Sequence, residues 1–188
     1  MPVLINFTAF KLGWAACVFG GAAGTPWIGV LAVLAVVALH AWRSPDGGAE
    51  LRLVLLAGAL GTVWDSLLVA TGVLVYPSGQ LATWLAPVWI SGLWMAFATS
   101  LNVTMRWMRE RLFVAAVFGA VGGPLAFWGG TRLGAVAFPD STLAIVVLGV
   151  GWMLLMPTLV VLAARFDGWA EPAAAEAPTR SEDLAHAQ

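Results

Sequence analysis

The stretch "LVLLAGALGTVWDSLLVATGVLV", residues 53 to 75, is long and apolar and carries a single charge, Asp65. A helix rises about 1.5 Å per residue, so about 20 apolar residues cover the ~30 Å hydrocarbon core of a bilayer. Reading this stretch as a membrane helix decides the fold, because the rest of the chain repeats the pattern. The 188 residues are 61% hydrophobic and only 10% charged, and their mean hydropathy is +0.89. Soluble domains carry about one quarter charged residues. Six segments qualify as spans: Val3 to Ala23, Pro26 to Trp42, Leu53 to Val75, Trp84 to Met105, Leu112 to Gly130 and Ser141 to Arg165. The expected fold is an all-α polytopic membrane protein, a six-transmembrane-helix bundle.

The connections carry turn signals, "GTP" at 24 to 26, "SPDGGAE" at 44 to 50, "YPSGQ" at 76 to 80 and "FPD" at 138 to 140. The "GGP" at 122 to 124 is a candidate kink in the fifth span, and Pro157 is expected to bend the sixth. With six spans, one side receives Arg43, Arg52, Arg106, Arg109, Arg111, Arg165 and Arg180, and the other only Arg132. Cytoplasmic ends retain basic residues, so both termini are expected in the cytoplasm of a multi-pass protein of the bacterial inner membrane. The opening "MPVLINFTAF" has no basic residue and reads as a retained first helix rather than a signal peptide. Residues 1 to 166 form the expected membrane domain. The segment 167 to 188, rich in Ala, Pro and acidic residues, reads as a disordered cytoplasmic tail.

Several function classes are disfavoured. A net charge of -1 provides no nucleic-acid surface. Cys17 is the only cysteine and reads as small apolar filler. Two histidines, His40 and His186, with no HExxH and no Gly-x-Ser-x-Gly motif, give no metal site, no cofactor and no familiar hydrolase.

At about 100° per residue, Gly58, Gly61, Asp65 and Gly72 share one stripe of the third helix. Glycine stripes let membrane helices approach closely, so this face is expected to look into the bundle. An ionised side chain at mid-membrane costs at least ~3 kcal/mol, so Asp65 needs a partner, a proton or water. Lys11 is the other charge set well inside a span. One reading pairs Lys11 with Asp65 at the wall of a polar cavity. The other lets Lys11 snorkel to the interface, with Asp65 protonated or bonded to a Ser or Trp of another helix.

On the fourth helix, Ser91, Met95, Ala98, Thr99 and Asn102 share a face that runs on to Arg106 and Arg109. That face is either a funnel for an anionic head group or helix-to-helix glue beside topology signals. The small residues Ala115, Gly119, Gly122, Gly123, Ala126 and Gly130 line one face of the fifth helix, where tight packing, within the chain or between copies through Gly119 and Gly123, is expected. Arg132 at its outer end is a candidate anchor to lipid phosphate or a partner of Asp140. Of the eleven tryptophans, Trp27, Trp42, Trp84, Trp107 and Trp169 suit an interfacial belt, while Trp14, Trp64, Trp94, Trp128 and Trp152 fall inside spans.

Four pieces, "NFTAFKLGWAACVFG" at 6 to 20, "WDSLLVATGVLVY" at 64 to 76, "PVWISGLWMAFATSLN" at 87 to 102 and "GAVGGPLAFWGGTRLGA" at 119 to 135, together resemble a bacterial inner-membrane family known only as domain of unknown function 2878. The resemblance implies an uncharged amide where this chain has Lys11, a departure that weakens the ion pair as an essential device. It also implies Asn6, Asp65, Ser66, Asn102 and Pro124 as motif positions, and hints at lipid metabolism. The resulting expectation is a protein that binds or translocates a membrane lipid or small amphiphile through a polar pocket lined by Asp65, Ser66, Lys11, Asn6, Asn102 and Thr99. Arg106, Arg109 and Arg132 are its candidate head-group contacts. The alternatives are a small-solute transporter or membrane substrate-binding subunit, and an enzyme or accessory in lipid modification.

Overall fold

A computed structural model describes residues 3 to 170. Within them the chain forms six α-helices, α1 (Val3–Ala22), α2 (Pro26–Arg43), α3 (Gly47–Ala70), α4 (Val88–Leu101), α5 (Leu112–Arg132) and α6 (Ser141–Arg165), with one 3-10 turn at Arg106–Met108. All except α4 are long and apolar enough to cross a membrane, and the chain is a multi-pass membrane protein. The helix starts follow local chemistry. Pro26 opens α2, where its missing N–H costs nothing. Asp46 and Asp140 cap α3 and α6 by accepting from the Ala49 and Leu143 amides at 3.0 Å each. Pro124 and Pro157 lie inside α5 and α6, and both helices run through them.

The cap moves α3 toward the N-terminus. Hydropathy alone begins this helix at Leu53, because Glu50 and Arg52 precede the apolar run, yet its first residue is Gly47. It ends at Ala70, and Gly72 turns the chain in the left-handed region at φ +73°. Asp65 consequently lies ~27 Å from the start of α3 and only ~8 Å from its end, instead of at mid-helix.

The fourth segment is shorter than its hydropathy suggests, 14 residues rather than the run Trp84 to Met105. It occupies the centre of the bundle, packed against α3, α2 and α1 and touching α6. Trp89, Ile90, Trp94, Ala96, Ala98 and Leu101 are all buried, and so are the polar Thr99 and Ser100, as on a helix enclosed by others. Its flanks, 71 to 87 and 102 to 111, are irregular. Such backbone is tolerated at membrane depth where protein covers it.

Contacts define two ends of the bundle. At one end an antiparallel bridge joins Val75 to Ala137, which places the C-terminal ends of α3 and α5 together. At the other, the Gly168 amide donates to Glu50, and Arg106 and Arg109 bind Asp167. This Arg-rich end gathers the start of α3, the end of α6 and the 3-10 turn. Residues 167 to 170 of the expected tail are therefore packed on the bundle, and residues 171 to 188 lie outside the described residues.

Candidate functional site

The glycine stripe on α3 faces inward as its spacing predicts. A Cβ at Gly61 would overlap the Trp94 ring, and one at Gly58 would come within 2.7 Å of Met95. The missing side chains let α4 lie flat on α3 and bring the Trp94 indole to Asp65. Asp65 is fully buried. Its Oδ1 accepts from the Tyr76 hydroxyl at 3.0 Å and its Oδ2 from Trp94 Nε1–H at 2.7 Å. Both donors are neutral. Of the two readings of Asp65, the bond to a tryptophan of another helix is the one realised, joined by the chain's only tyrosine.

Lys11 is not its partner. The helix that carries it packs on α2 and α4, and Lys11 sits ~12 Å from the start of α1, whereas Asp65 sits near the opposite end of the bundle. The Lys11 ammonium lies over three aromatic rings, Phe7 at 5.4 Å, Phe10 at 5.6 Å and Trp14 at 5.8 Å from the centroids. Ser66 fixes local structure, its hydroxyl accepting from the Ala86 amide at 3.0 Å and pinning the segment that carries Tyr76. Asn6 is buried and donates to the Thr99 carbonyl at 2.9 Å, while its own carbonyl accepts from the Thr104 hydroxyl at 2.6 Å. These tie α1 to α4 and to the segment that follows it. Asp65, Ser66, Asn6, Thr99 and Asn102 are each hydrogen-bonded within the protein, and of the six residues expected to line a polar pocket Lys11 is the one that borders the cavity floored by Trp94 and Trp152.

That cavity is apolar and of about 320 Å³. Its walls are α1, through Phe10, Lys11, Trp14 and Val18, and α5, through Gly122, Ala126 and Gly130. Its floor is Trp89, Leu93, Trp94 and Phe97 of α4 with Trp152 of α6. Trp94 and Trp152 are stacked, 4.6 Å between centroids, and Phe97 meets Trp152 edge-on. Lys11, Phe118 and Ala126 at its rim are exposed, so the groove opens sideways through the gap between α1 and α5. From Phe118 to Gly130 it follows α5 for ~18 Å, more than half the ~30 Å hydrocarbon thickness. The small-residue face of α5 serves two tasks. Gly119, Gly122, Gly123 and Ala126 all line the groove, and Gly119 and Gly123 also receive Trp152 of α6, whose atoms a Cβ at either position would overlap. The helix that packs on Gly119 and Gly123 is thus α6 of the same chain.

A second buried polar cluster sits at the Arg-rich end. Glu50 is fully buried and holds three donors: His40 Nε2 at 2.7 Å, Asn102 Nδ2 at 2.8 Å and the Gly168 amide at 2.9 Å. The other ring nitrogen of His40, Nδ1, is buried and has no partner among the described residues. Asn102, the residue that ends α4, also donates to the Phe166 carbonyl at 2.9 Å and accepts from Arg109 at 2.7 Å. Arg106 and Arg109 close on Asp167, each at 2.7 Å. The two arginines expected at the mouth of an anion funnel thus share the single carboxylate of Asp167, and α4 itself ends at Leu101, with its cap Asn102 bonded to both. Asp167 is held below the ordinary carboxylate range: burial pushes it up, but hydrogen bonds from Arg109 and the Trp169 amide and the charges of Arg109 and Arg106 outweigh that. Arg132 lies over the Trp128 ring at 5.0 Å, and Asp140 is engaged as the cap of α6.

Glu50, His40 and Asp167 escaped the sequence reading, since a helix start and a tail look solvated until distant residues cover them. Tyr76, alone of its type at the end of a span, was the one signal available for the partner of Asp65. Among the described residues no three His, Cys, Asp or Glu side chains gather as a metal site would require. No curated protein and no solved structure matches the chain. Residues 3–158 match the family described as "Protein of unknown function (DUF2878)", and the chain belongs to that family.

Proposed function

We propose that this is a bacterial inner-membrane protein that crosses the bilayer six times, with its Arg-rich end and both termini cytoplasmic, and holds or moves a lipid or small amphiphile in the groove between α1 and α5. The groove itself carries the reading: it is apolar, of ligand size, lined by aromatic rings and open toward the hydrocarbon. The sixth crossing falls to α4 with its irregular flanks, since Val75 lies at one end of the bundle and Arg109 at the other. The orientation is supported by Arg43, Arg52, Arg106, Arg109, Arg111 and Arg165 against Arg132 alone. Small-solute transport calls for a polar cavity, whereas the groove is apolar, and catalysis at Asp65 calls for a substrate to reach a fully buried carboxylate that already accepts from Tyr76 and Trp94.

Native mass spectrometry of the protein purified with its retained lipids tests this against a groove-filled variant. A Cβ at Gly122 would meet only the Phe118 ring, at 3.8 Å, so Gly122→Phe folds and grows its ring into the groove. Wild type is expected to carry a one-to-one lipid adduct that the variant lacks. Identical adducts on both proteins refute the reading.

A further inference from the structure

The groove is apolar along its length except at one point. Lys11 is the only charged residue that lines it, and it lies toward the Arg-rich end, level with Met105 and Phe118, while Tyr76 and Val136 mark the far end. Among the described residues His40 bonds to Glu50 and the two arginines bind Asp167, and no carboxylate reaches Lys11. Its ammonium stays within reach of the rings to either side, Phe7 at 5.4 Å, Phe10 at 5.6 Å and Trp14 at 5.8 Å. A cation among ring faces gains some cation-π attraction, but among the described residues it meets no counter-ion, at a depth where an uncompensated charge is costly.

Resting on the groove reading above, we infer that Lys11 is the counter-ion for the head group of a single-chain anionic amphiphile, a long-chain carboxylate, whose tail runs along the groove toward Tyr76 and Val136. The charge arithmetic selects the head group. One ammonium is a compact point charge that balances one negative charge; a phosphate head calls for an arginine fork or a second cation, and Arg106 and Arg109 are both committed to Asp167. The volume selects the tail: 320 Å³ lies at the small end of the range for ligand pockets, about 300 to 1,000 Å³, which suits one chain rather than two.

The floor tryptophans supply the readout. A long-chain fatty acid brominated in mid-chain quenches indole fluorescence at close range, and the brominated alcohol of equal length differs only in the head group. With purified full-length protein in an uncharged detergent, the acid is expected to bind at least about tenfold tighter than the alcohol, the step that one lost charge contact makes. Lys11→Gln should bring the acid down to the level of the alcohol and leave alcohol binding unchanged, and Lys11→Arg should restore the preference. Equal binding of acid and alcohol by wild type, or an acid preference that survives in Lys11→Gln, overturns the assignment of Lys11 while leaving the groove intact. Quenching of Gly122→Phe equal to wild type, by acid and alcohol alike, overturns the groove reading instead. A monoalkyl phosphate that binds more tightly than the acid, with the same dependence on Lys11, overturns the choice of a carboxylate.

Discussion

The bundle buries two carboxylates, and they are held in opposite ways. Asp65 meets two neutral donors, both on side chains that line the groove, and no cation. Glu50 meets an imidazole, an amide and a backbone N–H, and through Asn102 is joined to Arg109 and Asp167. Asp65 thereby orients two walls of a cavity, whereas Glu50 ties together segments more than 100 residues apart, the start of α3 and residues following α6. The first is a positioning device for the groove; the second is a clasp that closes the fold. The two carboxylates are therefore expected to respond differently to substitution.

The largest effect is expected at the clasp. Glu50→Leu keeps the volume but leaves the Asn102 amide, the Gly168 amide and the His40 ring without their acceptor. Each buried donor left unsatisfied costs ~1–3 kcal/mol. The thermal midpoint of the detergent-solubilised protein should fall steeply and the yield of folded protein with it. A variant as stable as wild type would show that the clasp contributes no net stability. Gly168 allows no side chain here either, because a Cβ would run into the Asp46 carbonyl.

At Asp65 the expected effect is smaller and of another kind. Asp65→Asn retains one carbonyl for Trp94 Nε1–H, and the Tyr76 hydroxyl can turn to accept from the new amide. The loss is the charge assistance of two hydrogen bonds, ~1–2 kcal/mol. Folding should survive while the groove loosens, so the variant should hold the brominated acid more weakly at nearly unchanged thermal stability. A stability loss as great as that of Glu50→Leu would erase the distinction between the two carboxylates.

The same contrast explains what the sequence could disclose. Asp65 stood out because a charge inside an apolar run is costly wherever it points, and Gly58 and Gly61 at helical spacing gave its direction. α6 could be bounded correctly, from Ser141 to Arg165, because cap, apolar run and terminal arginine agree. Glu50 follows "SPDGG" in what reads as a turn. Its burial depends on Gly168 arriving from 118 residues away, and no local pattern encodes that. The groove was hidden for a related reason. The small residues of α5 follow one period and Gly119, Gly122, Gly123 and Ala126 all line the cavity, yet Gly119 and Gly123 alone are also packed on by Trp152, a difference that depends on where that ring lands.

The smallest effect lies at the outer edge of the clasp and depends on pH. Asp167 is nearly buried, while Arg106 above it is 40% exposed, so solvent screens part of the attraction. Because the Asp167 carboxyl is held below its ordinary value in the folded protein, its contribution is complete above the unfolded value of about 3.9. It is lost as pH falls through the lower folded value, when the carboxylate takes up a proton and releases both arginines. Below pH ~4, then, the thermal midpoint of wild type should fall more steeply than that of Asp167→Asn, which has no charge there to lose. Above that pH the two curves should run parallel, wild type the more stable by a margin on the order of 1 kcal/mol, as for a pair open to solvent on one side. Parallel curves through the acid range would show that Asp167 carries none of the acid sensitivity of this end.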